Sequence, residues 1–470
     1  MKINHIQFRN IGFTLALLLV FTACERQLSD EAVLPSFPTT AEVFTDNFVG
    51  LGTNFYLPFA DAKPDVFSVD GTVGYESFSS IRIDVPNDTD PSGSYAGAIF
   101  RVDGPGRNLS SYDVLTFYVK ASQGVKLGDV GFGIDYEGDK FRASLTDVNV
   151  GTNWSKVTVP IPDASKLLNE RGVFWFAAGT QGTNGSGYTL WFDEIKYEQM
   201  PLMRQVSSEI MSGNSISLKV FTGSSISITG LNQTFNLENG QDVTLSSAPA
   251  YYDFQSSDTS VASVNELGVI EIKGSGNAEI TATLAGMSSN GKLSLESLGD
   301  LPPSPTPTRA ASNVKSIFSD AYTNATESNF NPGFGGSTSE TSVLTTSNGN
   351  VLQYSTNNFT GIMFVESPVD GSIMEYLHID AYVQNASTSI GIQIRDIGAN
   401  QTIETNIFTG LPEGDDKDYR ATLNGFQTGV WKSFDIPLAG NISSQKNNLG
   451  ALIITDGPNF ILDNIYFYKQ

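Results

Sequence analysis

The closing stretch Asn459–Gln470 (NFILDNIYFYKQ) constrains this chain most, because its pattern occurs twice. An apolar pair, an Asp, a polar residue and then Ile with aromatics recurs at Leu190–Glu198 (LWFDEIKYE), aligning Asp463 with Asp193 and Ile465 with Ile195. Three more matches keep the same order. Phe44-Thr45-Asp46 aligns with Phe318-Ser319-Asp320, Tyr95-Ala96-Gly97 with Phe359-Thr360-Gly361, and Trp154 to Ile161 with Trp431 to Leu438. The chain therefore carries a divergent internal repeat, one module at about 41–198 and a second at about 313–470.

Within the first module, short alternating runs such as SIRIDV (Ser80–Val85), VLTFYVK (Val114–Lys120) and KVTVPI (Lys156–Ile161) are separated by Gly, Asp, Asn and Pro clusters. No segment holds a long 3.6-residue period, so the pattern predicts antiparallel sandwiches. Charged residues are only 16% of the chain, with 45 Gly and 30 Phe, as in extracellular all-β proteins whose surface is mostly Ser, Thr and Asn. A formal charge of -23 opposes nucleic acids, acidic lipid surfaces and polyanions, which leaves a neutral partner.

Cys24, the only cysteine, ends the segment Met1–Ala23, which has a basic start and an apolar run at Gly12–Phe21 too short to span a bilayer as a mature helix. Val20-Phe21-Thr22-Ala23-Cys24 resembles a bacterial lipobox, implying lipidation of Cys24 and anchoring by acyl chains. ERQLSDE (Glu25–Glu31) resembles the export signal of Bacteroidota surface lipoproteins, implying the outer membrane and cell-surface exposure; residues 25–40 then form a tether. Residues 200–298 contain S-S-D-x-S-V-A-x-V (Ser256–Val264), G-V-I (Gly268–Ile270) and G-x-A-x-I-T-A (Gly276–Ala282), which resemble a bacterial immunoglobulin-like repeat with Val261, Val264, Ile270, Ile280 and Ala282 facing its core. Residues 299–312 hold four prolines in six residues, which predicts a stiff arm holding the last module away from the others.

The repeated module, with its aromatic-Asp start, W-x-x-x-x-[VI]-P-[IL] and closing D-x-I strand, resembles the jelly-roll carbohydrate-binding modules. The last one is similar to a module of Bacteroidota laminarinases and surface glycan-binding proteins through Leu377-His378-Ile379-Asp380 and Asp463 to Lys469, with Phe330 and Phe334 where those have Trp. The resemblance implies an all-β protein of two jelly-roll sandwiches separated by an immunoglobulin-like sandwich. It also implies a non-catalytic surface protein that captures a neutral polysaccharide, best matched by β-1,3-glucan of the laminarin type, beside an outer-membrane glycan transporter. The alternative is a structural or adhesive surface lipoprotein.

Sugar recognition needs flat aromatics beside hydrogen-bonding groups. Strand parity turns His378, Asp380 and Tyr382 away from the core, and likewise Gln393 and Arg395, so these five form one patch if their strands are neighbours. In the first module parity exposes Thr116, Tyr118, Lys120 and Asp135, and places Trp175 opposite Phe174 and Phe176. For each set the alternative is a solvated sheet face, or for Trp175 a buried position. Trp154 and Trp431 read as packing residues, and Phe330 and Phe334 as either a sugar clamp or a buried loop. Jelly-roll binding modules often hold a structural calcium where first and last strands meet; that places candidate ligands at Asp46 with Asp193 and Asp320 with Asp463, the alternative being carboxylates bonded to loop amides.

Catalysis has little to work with. After the leader only His378 remains, too few for a histidine metal cluster. The E-x-D-x-x-E strand of laminarinase-type jelly rolls is missing; its near misses, Glu137-x-Asp139-x-x-Arg142 and Glu413-x-Asp415-x-x-Asp418, fall in turn-rich sequence.

Overall fold

Alternation of apolar and polar residues resolves into strands throughout. The computed structural model describes residues 37–470 except Ala60, 325–326 and 407–409. Cys24, the leader and most of the tether lie outside the described residues. The chain divides into two compact units, Met1–Pro201 and Leu202–Gln470. No helix among the described residues is long and apolar enough to cross a membrane.

The first unit is a sandwich. In one sheet Ser155–Pro160, Val114–Ala121 and Tyr188–Glu198 are successive antiparallel neighbours; Tyr188–Glu198 also pairs with Glu42–Thr45 and with Ser80–Val85, which carries Phe67–Asp70. The other sheet runs Ala143–Val150, Val125–Phe132, Gly172–Ala178, Ala96–Arg101 and Tyr56–Pro58. Between them Phe100, Phe117, Phe174, Phe176 and Phe192 pack with ring centroids 5.5–6.5 Å apart. Each such buried side chain contributes about 1.5–3 kcal/mol by leaving water.

The last module repeats this arrangement, except that among the described residues no strand matches Tyr56–Pro58. One sheet holds Lys432–Pro437, Tyr376–Tyr382, Phe460–Tyr468, Gly349–Ser355 and Glu340–Thr346, with Val314–Phe318 added to Phe460–Tyr468; the other runs Phe359–Met363, Leu449–Thr455, Ile390–Asp396 and Lys417–Leu423. The register agrees with the alignment read from sequence: Phe44 pairs with Ile195 and Phe318 with Ile465, each across a bulge. Glu194 and Asn464, at matching positions, both adopt φ +49°. The chain is thus all-β, built on two sandwiches of one topology.

Residues 202–298 form a further set of strands in the second unit. A five-stranded sheet of Ser215–Val220, Lys292–Ser297, Gly276–Leu284, Tyr252–Ser256 and Met287–Ser288 accompanies a three-stranded sheet of Ser225–Ser227, Val269–Ile272 and Ala262–Val264. Val261, Ile270, Ile280 and Ala282 are buried, while Val264 is half-buried.

The Pro-rich segment corrects the expectation of a stiff arm, because it lies against the last module. Trp431 Nε1 donates to Pro302 O at 2.7 Å, Asn464 Nδ2 to Pro305 O at 2.9 Å, and the Arg309 guanidinium sits 4.2 Å from the Tyr468 ring centroid. Leu301, only 2% exposed, joins Phe221 of the middle sandwich in an apolar cluster with Leu344, Val351, Tyr382 and Ile461. Polyproline chain leaves its carbonyls unpaired, and side chains of the last module satisfy several of them.

Candidate functional site

Three neighbouring strands of the first module turn four side chains to the outer face of their sheet. Leu115, Phe117 and Val119 are fully buried on the inward side, as are Leu190, Phe192, Ile81 and Ile83. The opposite parity presents Tyr118 and Lys120, Trp191 and Arg82, all half-buried. Cross-strand register puts Lys120 opposite Trp191 and Trp191 opposite Arg82. Trp154 stands directly before Ser155, which pairs with Val119, so its ring reaches the same row.

The result is a continuous file of rings and cations. Lys120 Nζ lies 5.1 Å from both the Trp154 and Trp191 ring centroids, and Arg82 Cζ 5.9 Å from Trp191. Tyr75 meets Trp154 edge-on at 6.3 Å and stacks on Tyr118 with centroids 3.5 Å apart and planes 12° apart. Cation–π attraction supplies roughly 0.5–1 kcal/mol per contact at such sites. Trp191 is also fixed from its edge: Nε1 donates to Asp70 Oδ2 at 3.1 Å. Bonds from the Thr72 hydroxyl and then from Trp191 hold the Asp70 carboxyl down at about 2. At the margin Asp84 accepts from Thr189 Oγ1 at 2.8 Å and Arg82 Nε at 3.1 Å. Flat apolar surface beside ammonium, guanidinium, hydroxyl and carboxylate groups is a combination that fits a sugar ring with its rim of hydroxyls.

Of the first-module residues expected outward, Tyr118 and Lys120 thus lie on this face, whereas Thr116 is buried and donates to Glu198 Oε2 at 2.9 Å. Trp175 does point away from Phe174 and Phe176, as parity requires, but belongs to the other sheet and is only 5% exposed. It packs with Ile99 and Ile134 under Leu57 and Phe59, and Nε1 donates to Phe132 O at 3.2 Å. An outward strand residue is available only where no other segment covers it, and here Leu57 and Phe59 do. Asp135 lies in the turn after Val125–Phe132, where Oδ1 accepts the Glu137 N–H at 2.7 Å. Trp191 was legible by parity, since it alternates with Leu190 and Phe192. Trp154, expected to pack in the core, instead packs on the outer face.

The patch expected in the last module does not assemble. Tyr376–Tyr382 and Ile390–Asp396 belong to different sheets, so His378, Asp380 and Tyr382 cannot join Gln393 and Arg395. Tyr382 is buried against Phe221, with ring centroids 5.6 Å apart, and equally near Trp431. Asp380 is fully buried, accepting from Ser433 Oγ at 2.5 Å and Asn464 Nδ2 at 2.8 Å. His378 stacks on Tyr466 and lies 2.7 Å from Asp435 and 3.3 Å from Asp380. Burial opposes its charge, yet the two carboxylates outweigh it and raise its pKa. Gln393 donates to Asp418 at 2.6 Å, and Arg395 is fully buried beside Asp416. Phe330 packs edge-on against Phe318 at 5.4 Å, on the core. Phe334 stacks with Phe359 at 6.4 Å, half-buried over Gly361.

The residues expected to hold calcium carry hydrogen-bond donors instead. Asp193 accepts the N–H groups of Glu194 and Tyr75, each at 2.7 Å. Asp463 accepts the Asn464 N–H at 2.7 Å and Ser304 Oγ at 2.5 Å, and Asp320 accepts the Asn350 N–H at 2.6 Å. Asp46 is exposed. These donors take some of the carboxylate lone pairs, and among the described residues neither pair belongs to a group of three or more close carboxylate, histidine or cysteine ligands. Burial, reinforced by the charges of Asp380 and Asp320, pushes the Asp463 carboxyl up to about 6 despite its two donors.

No protein-family model and no curated protein matches the chain. Among solved structures, a family 30 carbohydrate-binding module aligns at 20% identity and a TM-score of 0.26, covering 34% of this chain and 97% of that one. A family 11 carbohydrate-binding module of a Clostridium thermocellum cellulosomal cellulase aligns at 16% identity and 0.23, over 34% and 97%. A tandem pair of family 22 modules from Paenibacillus barcinonensis aligns at 12% identity and 0.22, over 94% and 99%. At such scores, what those modules bind does not transfer to this chain.

Proposed function

We propose that this protein is a non-catalytic glycan-binding protein whose first module binds through the Arg82–Trp191–Lys120–Trp154–Tyr75–Tyr118 file. The observation that carries the reading is the pair of half-buried indoles on either side of Lys120, on a flat sheet face rimmed by hydrogen-bonding groups. The net charge of -23 favours a neutral glycan over a sulfated or uronic one. The finer reading rests on the sequence resemblances: a β-1,3-glucan of the laminarin type, a lipid anchor at Cys24 in the outer membrane, cell-surface exposure, and handover to a glycan transporter.

Isothermal titration of the protein with laminarin, xylan, a mixed-linkage glucan and an acidic glycan tests it. Saturable binding to a neutral glucan is expected, weakened at least tenfold by Trp191→Ala, about 1.4 kcal/mol or more. Attachment to cells or proteins with no affinity for any glycan would favour the adhesive alternative. Full affinity in Trp191→Ala would remove the site from this face.

A further inference from the structure

Between strands Ile390–Asp396 and Lys417–Leu423, the last module gathers three carboxylates that the glycan-binding reading does not use. Oxygens of Glu404, Asp415 and Asp416 lie within 4.8 Å of one another. One oxygen of each aspartate is engaged locally: Asp416 Oδ2 accepts the Glu404 N–H and Arg395 Nη1, each at 2.9 Å, and Asp415 Oδ2 accepts the Ala399 N–H at 2.7 Å. What remains is unusual for a folded interior. Asp416 is 2% exposed and its Oδ1 has no hydrogen-bond partner; Asp415 Oδ1 is likewise buried and unpartnered. Leaving a buried acceptor unmade is costly, and more so when it is charged.

Arg395, fully buried, is the cation ion-paired within the group, through Asp416, and its Nε and Nη2 have no acceptor. Three carboxylates against one guanidinium leave a local excess of two negative charges. The unpartnered acceptors, Asp415 Oδ1 and Asp416 Oδ1, are hard oxygens, with no imidazole or thiolate among the three side chains, which suits an alkaline-earth ion rather than zinc or copper. Three carboxylates so placed would supply part of the six to eight oxygens, at about 2.3–2.6 Å, that Ca²⁺ takes.

We propose that Glu404, Asp415 and Asp416 form a divalent-cation site of the calcium class, with Asp416 Oδ1 and Asp415 Oδ1 as its inner ligands. A bound ion would draw Ala399 and Glu404 to the start of Lys417–Leu423, since Asp415 already holds the Ala399 amide and Asp416 the Glu404 amide. The site is separate from the first and last strands, where calcium was expected from sequence.

The test uses the protein stripped with EDTA, then titrated with CaCl₂ and with MgCl₂, followed by calorimetry and thermal unfolding. Saturable calcium binding is expected, with an unfolding midpoint roughly 5 °C higher at saturating calcium. The double variant Glu404→Gln/Asp415→Asn, which spares the Asp416–Arg395 pair, should abolish both signals. Asp46→Asn/Asp193→Asn and Asp320→Asn/Asp463→Asn should retain them. Absence of binding by either ion at millimolar concentration overturns the proposal. So does calcium binding that survives in Glu404→Gln/Asp415→Asn. Titration of the unaltered protein decides the first question even if a variant fails to fold.

Discussion

The same face of the same sheet has two fates in the two modules. Register aligns Lys120 with Tyr382, Trp191 with Ile461, and Arg82 with Gln353, each pair lying opposite the corresponding partner strand. Trp154 and Trp431 likewise precede equivalent strands. In the first module this file alternates rings with cations and stays half-buried. In the last module Tyr382, Ile461, Leu344 and Val351 are nearly all apolar, and Phe221 and Leu301 cover them. The scaffold tolerates either use because its inward residues alone build the core; what the outward residues are decides whether the face docks a neighbouring sandwich or stays available to a ligand.

The largest expected effect breaks the covered face. Phe221→Ala removes a ring that packs on Tyr382, and should destabilise the second unit by about 3 kcal/mol in chemical denaturation. Tyr382→Ala should cost a similar amount while leaving glycan affinity unchanged, a result that would separate docking from binding. Next come the two equivalent indoles: Trp154→Ala should weaken glycan binding by roughly 2 kcal/mol, whereas Trp431→Ala should lower stability with no change in the titration. If both weakened binding alike, the distinction between the faces would fail.

A pH series sharpens the comparison further. Asp463, at about 6 when folded, retains a proton that an unfolded Asp, near 3.9, has lost. Stability of the second unit should therefore fall as pH rises from about 4 to about 6, by on the order of 2 kcal/mol. His378, raised by its carboxylates, adds a loss in the same direction above about 6.5, as pH passes through its folded pKa. Asp463→Asn should flatten the lower window in unfolding midpoints. Asp193, raised by burial in the same direction, should give a shallower slope when replaced. The smallest effect concerns a glycine shared by both repeats. A Cβ at Gly97 would stand 2.5 Å from Phe59, and one at Gly361 3.0 Å from Phe334, so Gly97→Ala should destabilise by about 1 kcal/mol and exceed Gly361→Ala in the same measurement.

Much of this was legible in advance. Periodicity gave the sandwiches, and short matches such as Phe44 with Phe318 and Asp193 with Asp463 gave the repeat, down to the paired register. Parity placed Ile379, Ala381, Ile392 and Ile394 inward, all buried, because side chains alternate between the two faces of a strand. It failed on availability. Trp175, Tyr382 and Arg395 all have the predicted parity and all are buried: parity tells which side a residue takes, and says nothing about what lies over it.

The sequence by itself determined the all-β class, the duplication and the inward set of each strand, since these follow from local periodicity and from residue order along one chain. Only the tertiary structure decided which strands share a sheet, where the Pro-rich segment lies and which outward face is covered. Those outcomes depend on contacts between segments far apart in sequence, such as Phe221 with Tyr382 and Pro302 with Trp431, and no local pattern encodes them. The closing strand keeps both lessons together: its alternation announced the repeat, while Asp463 and Asn464 acquired their partners Ser304 and Pro305 only through the fold.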